Sequence, residues 1–462
     1  MLRVAAPADG RRPPRNAAAV LAGGFAVLIL AGTALLALPV ASVEGRWTPL
    51  GDALFTATSA ACVTGLVVLD TGTYWSTFGQ AVLLLLMQLG GLGFMTGSTF
   101  VLLLIHREVT LRDRLVLQTE LGASLGSGLR LARRIVAFTL IAEAAGAALL
   151  TVRFLQEWPF PTALWWGLFH AVAAFNNAGF DLVGGFRSLT PYAGDATVLV
   201  PLSLLILLGG ISYTAVEDVT RAVRATWATN APARSGFARL SLDTKLVLAV
   251  SGALLVAGAL AVLFTERANP ATLGGMALGP RLLNAYFLSV NARSAGFNAV
   301  PLDRLTEAGM LALMGLMFVG GAAGSTAGGI KVQTLALLLV TVRAAVAGTP
   351  DVQVFRRRVP PAYVARAQAL TVVALAVAWV VSFALTVTEP ARYLDVLFES
   401  VSALGTVGLS TGSTPGLSPP GRLVLVATML AGRLGPLTLA LAFAARARPA
   451  AFRWAAEGVK LG

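Results

Sequence analysis

Four glycines recur along this sequence in the same local setting, and their spacing is typical of a site for a dehydrated cation. Each follows an aromatic residue by ten positions and precedes an apolar residue; they are Gly65, Gly179, Gly296 and Gly408. The steps between them are 114, 117 and 112 residues, so four such steps nearly fill the 462-residue chain. Glycine tolerates backbone conformations that turn carbonyl oxygens inward, and carbonyls from several sides can replace a cation's hydration shell. Four loops that meet on one axis would form a cation pathway.

The residues directly before each glycine are predicted to line this pathway. Their side chains differ between the four loops, as expected if the ion contacts the main chain. Each loop has a single glycine, so we expect fewer well-formed sites and weaker discrimination than in the TVGYG loops of tetrameric potassium channels. The predicted lining residues are Val63, Thr64 and Gly65; Asn177, Ala178 and Gly179; Ser294, Ala295 and Gly296; and Thr406, Val407 and Gly408.

The composition indicates a polytopic membrane protein. Hydrophobic residues make up 56% of the chain and charged residues only 12%, against about a quarter charged in soluble proteins. The net charge of +13 does not indicate a nucleic-acid partner, because 24 of the 35 Lys and Arg residues lie in five segments that alternate with acid-biased ones. This alternation follows the positive-inside rule. It predicts that both termini are cytoplasmic, that the number of crossings is even, and that the acidic outer mouth concentrates cations.

Each quarter of the chain is predicted to fold as an outer helix, a short amphipathic helix, a glycine loop and an inner helix. The short segments contain Ser, Asn and His, and irregular backbone at membrane depth is tolerated only where it lines a cavity. The predicted fold is all-α, with pseudo-fourfold symmetry around one pore, eight full crossings and four re-entrant segments. Outer helices are expected near 17–41, 133–155, 244–265 and 366–388, and inner helices near 77–105, 196–222, 308–346 and 421–445. The predicted units are a cytoplasmic N-terminal tail (1–16), repeat 1 (17–106), a linker (107–132), repeat 2 (133–222), a linker (223–243), repeat 3 (244–346), a linker (347–365), repeat 4 (366–445) and a cytoplasmic C-terminal tail (446–462).

The third inner segment is too long for one membrane helix. As a continuous helix, residues 308–346 would span about 58 Å, nearly twice the hydrocarbon core of about 30 Å. Five glycines fall in its middle, and each costs a helix about 1 kcal/mol. We therefore predict an intramembrane loop over 320–331 that lies under the glycine loops and acts as a gate; glycine-mediated helix packing is the alternative. The predicted gate residues are Gly320, Gly321, Gly324, Ser325, Thr326, Gly328, Gly329, Lys331 and Arg433. Weaker breaks are expected in the other inner helices at 90–93, 209–210 and 432–436.

Two arginines at predicted membrane depth need partners, because a charge there is expensive. Arg433 is expected to oppose cation passage and to donate to carbonyls of the 320–331 loop. The alternative is a buried carboxylate, and Glu143 is the only acid well inside an apolar run. Arg293, three residues before Gly296, is expected to point behind the pathway and to pair with an acid such as Glu399. The single cysteine, Cys62, excludes an intrachain disulfide and is expected to be a small buried residue.

Together these motifs resemble the Trk/Ktr/HKT superfamily of potassium transporters, whose fold is four such repeats around one pore. The resemblance covers essentially the whole chain. It implies that the four glycines form the K⁺ selectivity filter, that 320–331 is the gate, and that Arg433 is its pore-side partner. In plant relatives, serine at the first filter position goes with sodium preference, so Gly65 favours potassium. The matching stretches are TSAACVTGL (58–66), QLGGLGF (88–94), AFNNAGFDL (174–182), NARSAGFN (291–298), GGAAGSTAGGIKVQT (320–334), SALGTVGLSTG (402–412) and GRLGPLT (432–438).

The resemblance also implies a setting for the chain. Eight crossings without an extra N-terminal helix pair are similar to the KtrB type of potassium-translocating subunit, in the inner membrane of a prokaryote. Such subunits form homodimers on a cytoplasmic ring of nucleotide-binding subunits of the KtrA type. That ring would dock on the Arg-rich cytoplasmic face, and the chain itself would bind no nucleotide. Sodium stimulation, proton coupling as in Trk-type transporters, a less selective K⁺/Na⁺ pathway and simple channel behaviour all stay open.

Two other functional classes fit the sequence less well. A secondary transporter of an organic solute would show two inverted halves and buried acids as ion-coupling sites, whereas this chain has four repeats in the same direction. An intramembrane enzyme would need a catalytic cluster, but the chain has only two His and one Cys. The sequence therefore predicts a gated potassium pathway and no enzyme.

Overall fold

The computed structural model describes residues 17–105, 125–229 and 233–435, and these residues are almost entirely helical. Four long helices agree with the predicted outer helices. Each is apolar along most of its length, as expected for a helix that faces lipid. The outer helices 1 to 4 are Ala17–Ala37, Leu125–Phe154, Leu242–Glu266 and Pro361–Thr388.

A short helix follows each outer helix and packs against it. None of the four reaches the length of about 20 residues that a membrane crossing needs. Proline at or next to their first positions helps short helices 1 and 2 to begin, since proline lacks only an N–H that would be unpaired there. The short helices 1 to 4 are Leu50–Ala61, Phe160–Phe175, Leu278–Asn291 and Tyr393–Gly405.

The inner helices differ from one another more than the outer ones do. Inner helix 1 is continuous, inner helix 2 bends by 100° at a break of two residues, and inner helix 3 is interrupted by a long loop. Inner helix 4 ends at Leu434, followed by Gly435 with a φ of 85°. The inner helices are Thr77–Ile105, Ala196–Gly210 with Tyr213–Ala228, Glu307–Met317 with Val332–Val346, and Pro419–Leu434.

Inner helix 3 is interrupted between Met317 and Val332, where the loop was predicted, but the expected break at 90–93 is wrong. Gly90 and Gly91 lie inside a regular helix because their missing side chains make room for neighbours. A Cβ atom added to Gly90 would meet the Ala61 carbonyl, and one added to Gly91 would meet the Asn176 side chain. These two glycines therefore allow close packing of the helix against its neighbours.

By length and hydropathy, four described helices could each cross a membrane, and the bent inner helix 2 would make a fifth. The remaining apolar helices in the described ranges are shorter. Eight crossings therefore remain a prediction. The tails 1–16 and 446–462 lie outside the described residues, as do most of the 107–132 linker and the end of repeat 4.

Buried side chains form continuous apolar clusters between neighbouring repeats. One cluster joins repeats 1 and 2 and reaches short helix 3, a second joins repeats 1 and 4, and a third joins repeats 3 and 4. Inner helix 4 also packs against short helix 1. The chain thus closes on itself, with its first and last repeats in contact.

Two buried glutamates fix the N-terminal ends of inner helices 3 and 4 in the same way. Glu266, at the end of outer helix 3, accepts hydrogen bonds from the amide and hydroxyl of Thr306, which begins inner helix 3. Glu389, just after outer helix 4, does the same for Ser418 at the start of inner helix 4. Both hydroxyls cap their helices, since each also accepts from a first-turn amide.

The remaining elements are small. They connect the longer helices at both ends of the bundle. They are the helices Thr71–Tyr74 and Ala233–Arg239, the 3-10 turns Pro39–Ala41, Thr190–Tyr192, Leu302–Arg304 and Thr414–Gly416, and an antiparallel hairpin of Gln353–Val354 with Arg357–Arg358.

Candidate ion pathway

The four glycine segments (63–65, 177–179, 294–296 and 406–408) meet in a closed ring. Each glycine lies against the main chain of the next segment, so closely that an added Cβ atom would fall within 3.0 Å of a carbonyl oxygen, a separation real Cβ atoms essentially never show. The order around the ring follows the chain, and the fourth segment returns to the first. The facing oxygens belong to Ala178 for Gly65, Ala295 for Gly179, Val407 for Gly296 and Thr64 for Gly408.

The four segments also share one backbone conformation. The glycines have φ values of 92°, 69°, 83° and 92° in chain order, in the left-handed region that glycine adopts without strain. The residues two positions earlier are also left-handed, although none is glycine. They are Val63, Asn177, Ser294 and Thr406, with φ values of 56°, 59°, 78° and 46°. Such conformations cost about 1–3 kcal/mol each and persist only where the surroundings enforce them. Four equivalent left-handed residues in one ring make this a candidate functional site, and residue types do not carry that signal.

Polar side chains of the short helices hold the segments from behind. Ser59 and Ser402 each accept a hydrogen bond from the glycine amide six residues later, both at 3.1 Å. In repeat 3, the Asn291 side chain accepts from the Phe297 amide at 3.1 Å. In repeat 2, His170 Nε2 accepts from the Leu182 amide at 3.3 Å while Nδ1 donates to the Trp166 carbonyl at 2.8 Å. These residues were not predicted; the serine six positions before a glycine, repeated in quarters 1 and 4, was the available signal.

A cavity of about 530 Å³ opens on one side of the ring, and all four glycines line it. Three carboxylates surround this vestibule: Asp70, Asp181 and Asp303, with Arg187 as an opposing charge. The structure therefore brings three acidic residues together on one side of the ring, and that this side is the outer mouth stays a prediction. Burial raises the pKa of Asp181, in the loop after Gly179, to about 6. Near neutral pH the vestibule carries net negative charge and attracts cations.

The 320–331 loop lies on the opposite side of the ring and is tied to it by hydrogen bonds. The Gly328 amide donates to Ser294 Oγ of the ring at 2.8 Å. Thr326 Oγ1 lies 2.9 Å from the Gly209 carbonyl and 3.2 Å from the Phe175 carbonyl at the end of short helix 2, just before the second segment. The loop also binds the bend of inner helix 2, because the Ala322 and Thr326 amides donate to the carbonyls exposed there at Gly210 and Gly209. Ser325 and Thr326 are buried. The polar groups of the loop are therefore largely paired.

The structure explains why each of the five loop positions is glycine. A Cβ atom added to Gly320 would collide with the main chain of Gly328, and one added to Gly321 with the main chain of Gly210. A Cβ atom added to Gly328 would collide with the Thr406 hydroxyl. Gly324 and Gly329 have φ values of 80° and 65°. The glycines therefore let the loop approach the ring as well as keep it from being helical.

Arg433, which is buried, and Lys331, which is half-buried at the end of the loop, bring two basic side chains to the loop. Arg433 donates to the Thr326 carbonyl and, at 3.0 Å, to the Gly90 carbonyl, with its guanidinium 4.3 Å from the centre of the Phe94 ring. Lys331 Nζ donates to the carbonyls of Ala327 and Gly328. The predicted bond from Arg433 to the loop is confirmed. Arg433 forms no ion pair among the described residues, so the carboxylate alternative is wrong.

The expected pairing of Arg293 with Glu399 is also wrong. The Glu399 side chain instead accepts hydrogen bonds within repeat 4, from the Ser410 and Thr414 hydroxyls and the Thr411 amide. These donors satisfy its carboxylate without a cation. Arg293 forms no ion pair within the described ranges and lies at the C-terminal end of short helix 3, where the helix dipole favours a positive charge. Cys62 is buried, as expected.

Comparisons with known proteins give one consistent family. The family model described as TrkH, cation transport protein, matches residues 26–453. Ktr system potassium uptake protein B of Bacillus subtilis (strain 168) is 37% identical over 428 residues, which cover 92% of each chain. Potassium/sodium uptake protein NtpJ of Enterococcus hirae is 36% identical over 450 residues, 96% of each chain. The crystal structure of the potassium transporter TrkH from Vibrio parahaemolyticus superposes with a TM-score of 0.72 over 95% of this chain and 87% of that one. At 18% identity that likeness concerns the fold alone.

Proposed function

The chain belongs to the TrkH family of cation transport proteins, and on that premise we propose that it takes up potassium through a gated path between the four glycine segments. It is the membrane subunit of a Ktr-type potassium uptake system. The observation that carries the proposal is the closed ring of four glycine segments beneath an acidic vestibule. Carboxylates concentrate cations in the vestibule, and main-chain oxygens receive them once water is shed.

Potassium selectivity is assigned to the carbonyls that face the ring. Thr64, Ala178, Ala295 and Val407 each contribute one main-chain oxygen held against a neighbouring glycine. Hydrogen bonds from behind and the tight glycine contacts fix these oxygens, so they cannot freely close around a smaller ion such as sodium. Pseudo-fourfold symmetry and eight crossings accompany this assignment, supported by the fourfold recurrence of outer, short and inner helices.

The 320–331 loop, with Lys331 and Arg433, forms the gate. In the described conformation it is bonded to the ring through Ser294 and to Arg433 through the Thr326 carbonyl. A cation leaving the ring meets this loop and two positive side chains. Conduction therefore requires the loop to leave the ring, which breaks these bonds.

The wider assembly follows from the same premise. The chain is a multi-pass protein of a prokaryotic inner membrane with both termini in the cytoplasm. It acts as a homodimer with a cytoplasmic nucleotide-binding ring that docks on its Arg-rich face; the relatives named as parts of a Ktr system support a multi-component assembly. Sodium as an activator, or as a second transported ion, is the alternative favoured by the relative named for potassium/sodium uptake.

The test is growth of a potassium-uptake-deficient bacterium at low potassium, with and without sodium and the partner subunit. The wild-type protein should restore growth. Gly65→Ala should abolish rescue, because the added methyl group would strike the Ala178 carbonyl at a left-handed φ of 92°. Gly51→Ala, in the same repeat with nothing within 4 Å of its added Cβ, is the matched control and should still rescue. Failure of the inserted wild-type protein under every condition, or rescue by Gly65→Ala, would refute the proposal.

A further inference from the structure

A buried carboxyl group lies beside the pathway and takes no part in the mechanism described above. Glu143, in the middle of outer helix 2, is only 3% exposed. Its Oε2 accepts from Gln88 Nε2 at 3.0 Å and its Oε1 from Asn176 Nδ2 at 2.9 Å, and Asn176 Nδ2 also donates to Gln88 Oε1 at 2.8 Å. The three side chains, here called the Glu143 triad, join outer helix 2, inner helix 1 and the end of short helix 2.

We propose that Glu143 is a positioning residue for the second glycine segment and thereby a determinant of potassium over sodium. This inference rests on the proposed function. Asn176 caps short helix 2 and directly precedes Asn177, whose left-handed φ of 59° begins that segment. A strained residue keeps its conformation only while its neighbours are fixed, and the triad fixes the residue next to it.

The triad holds Asn176 from more than one side. Its Nδ2 shares its two hydrogens among three acceptors, the third being the Val172 carbonyl one turn earlier at 3.0 Å. Across the interface, an added Cβ at Gly91 would collide with the Asn176 side chain, so the absence of a side chain at Gly91 makes room for it. Asn176 cannot shift without disturbing inner helix 1 or losing the carboxyl.

The same turn of inner helix 1 also reaches the gate. Gln88 belongs to the triad, Gly91 contacts Asn176, and between them the Gly90 carbonyl accepts from Arg433. Glu143 therefore anchors a turn that contacts one quarter of the ring on one side and the gate arginine on the other.

Repeats 3 and 4 contain natural controls. Glu266 and Glu389 are also buried glutamates of the outer-helix region, but they cap the starts of inner helices 3 and 4. Neither bonds to a glycine segment. A general loss of stability from removing a buried carboxyl should appear at Glu389 as well as at Glu143, whereas a change in ion discrimination should appear only at Glu143.

The experiment compares Glu143→Gln, Glu143→Leu and Glu389→Gln as purified, folded full-length proteins in vesicles. The ratio of potassium to sodium flux is measured for each. Glu143→Leu should lower this ratio about two- to tenfold, the change expected from losing one or two hydrogen bonds. Glu143→Gln keeps an acceptor oxygen for Asn176 but turns an amide nitrogen toward the Gln88 donor, so its ratio should lie between those of the wild type and Glu143→Leu. Glu389→Gln should stay near the wild-type ratio. If Glu143→Leu does not fold, Gln88→Leu, which removes one member of the triad, takes its place with the same expectation.

Three results would overturn the inference. One is an unchanged flux ratio in Glu143→Leu or Gln88→Leu; another is an equal change in Glu389→Gln. The third is a Glu143→Gln variant as defective as Glu143→Leu, because the acceptor oxygen that glutamine keeps for Asn176 would then have no effect on the flux ratio. Each presupposes a potassium-selective wild-type protein; loss of that selectivity in the wild type would instead count against the proposed function.

Discussion

Removing the hydroxyl of Ser294 should open the gate. This hydroxyl accepts from the Gly328 amide of the loop at 2.8 Å and donates to the Thr406 carbonyl at 2.9 Å. In Ser294→Ala the Gly328 N–H stays buried in the closed conformation but loses its acceptor, which costs about 1–3 kcal/mol. In the open conformation the loop has left the ring, so the same N–H can bond to water. The bond to the Thr406 carbonyl lies within the ring and is lost in both conformations, so the substitution destabilises the closed state relative to the open one. A shift of that size changes the balance of closed and open forms by about 5–150-fold.

Potassium efflux from vesicles that contain the full-length protein without its cytoplasmic partner measures this balance. Ser294→Ala should raise the basal efflux rate by a factor in the stated range. Ser289→Ala is the matched control, because its buried hydroxyl lies in short helix 3, which leads into the Ser294 segment, but bonds to the Leu255 carbonyl of outer helix 3. The reasoning fails if Ser294→Ala raises efflux no more than Ser289→Ala does, or if the rate falls in protein that remains folded.

Three further changes follow from the same contacts. Arg433→Ala removes the donor to the Thr326 and Gly90 carbonyls together with a buried positive charge, so potassium flux should rise, and reduced or unchanged flux in folded protein would contradict the barrier role. Asp303→Asn lowers the negative charge of the vestibule and should raise the potassium concentration for half-maximal uptake about twofold, which corresponds to a screened interaction of roughly 0.5 kcal/mol. This increase should vanish at high ionic strength. An increase that persists there would rule out an electrostatic effect of the vestibule. Gly421→Ala places a methyl group against the Glu389 carboxylate. It should lower the unfolding free energy by about 1–3 kcal/mol without changing the ratio of potassium to sodium flux. Gly416→Ala is the control, since open space surrounds Gly416, and it should leave the melting temperature unchanged.

The sequence predicted those parts of the molecule that residue type alone constrains. An interval of 112 to 117 residues between similar glycines implied four equivalent loops, and the structure joins these loops in a ring. The length of inner segment 3 and its five glycines ruled out one continuous helix. Arg433 at membrane depth demanded polar partners, and main-chain carbonyls of the loop were the available ones. Each inference follows from a property of single residues or of their spacing, which the sequence shows directly.

Other features depend on contacts between distant segments, which residue types do not encode. Glycine pairs occur in both inner helices 1 and 2, yet only the second is broken. At Gly90 and Gly91 the helix continues because neighbouring atoms occupy the space left by the missing side chains. At Gly209 and Gly210 the carbonyls instead accept amides of the 320–331 loop, and Ser212 caps a new helix at the bend. The same residues thus give opposite outcomes according to what packs against them.

The partners of the buried charged residues were also hard to predict, because they too depend on contacts that residue types do not encode. Glu399 was considered a partner for Arg293 because both are charged residues near a glycine segment. The structure supplies Glu399 with hydroxyl and amide donors from the turn after Gly408, and such uncharged donors are too common in sequence to be recognised. Glu143 was identified as an exceptional acid, but its partners Gln88 and Asn176 lie 55 and 33 residues away along the chain.

The most direct test of the central claim is to locate the permeant ion. A crystal structure of the full-length protein in rubidium or thallium salt would reveal the heavy potassium analogue by its anomalous scattering. The account predicts a peak on the axis of the glycine ring, coordinated by the main-chain oxygens of Thr64, Ala178, Ala295 and Val407. An empty ring, with the ion bound instead by side chains elsewhere in the molecule, would contradict it.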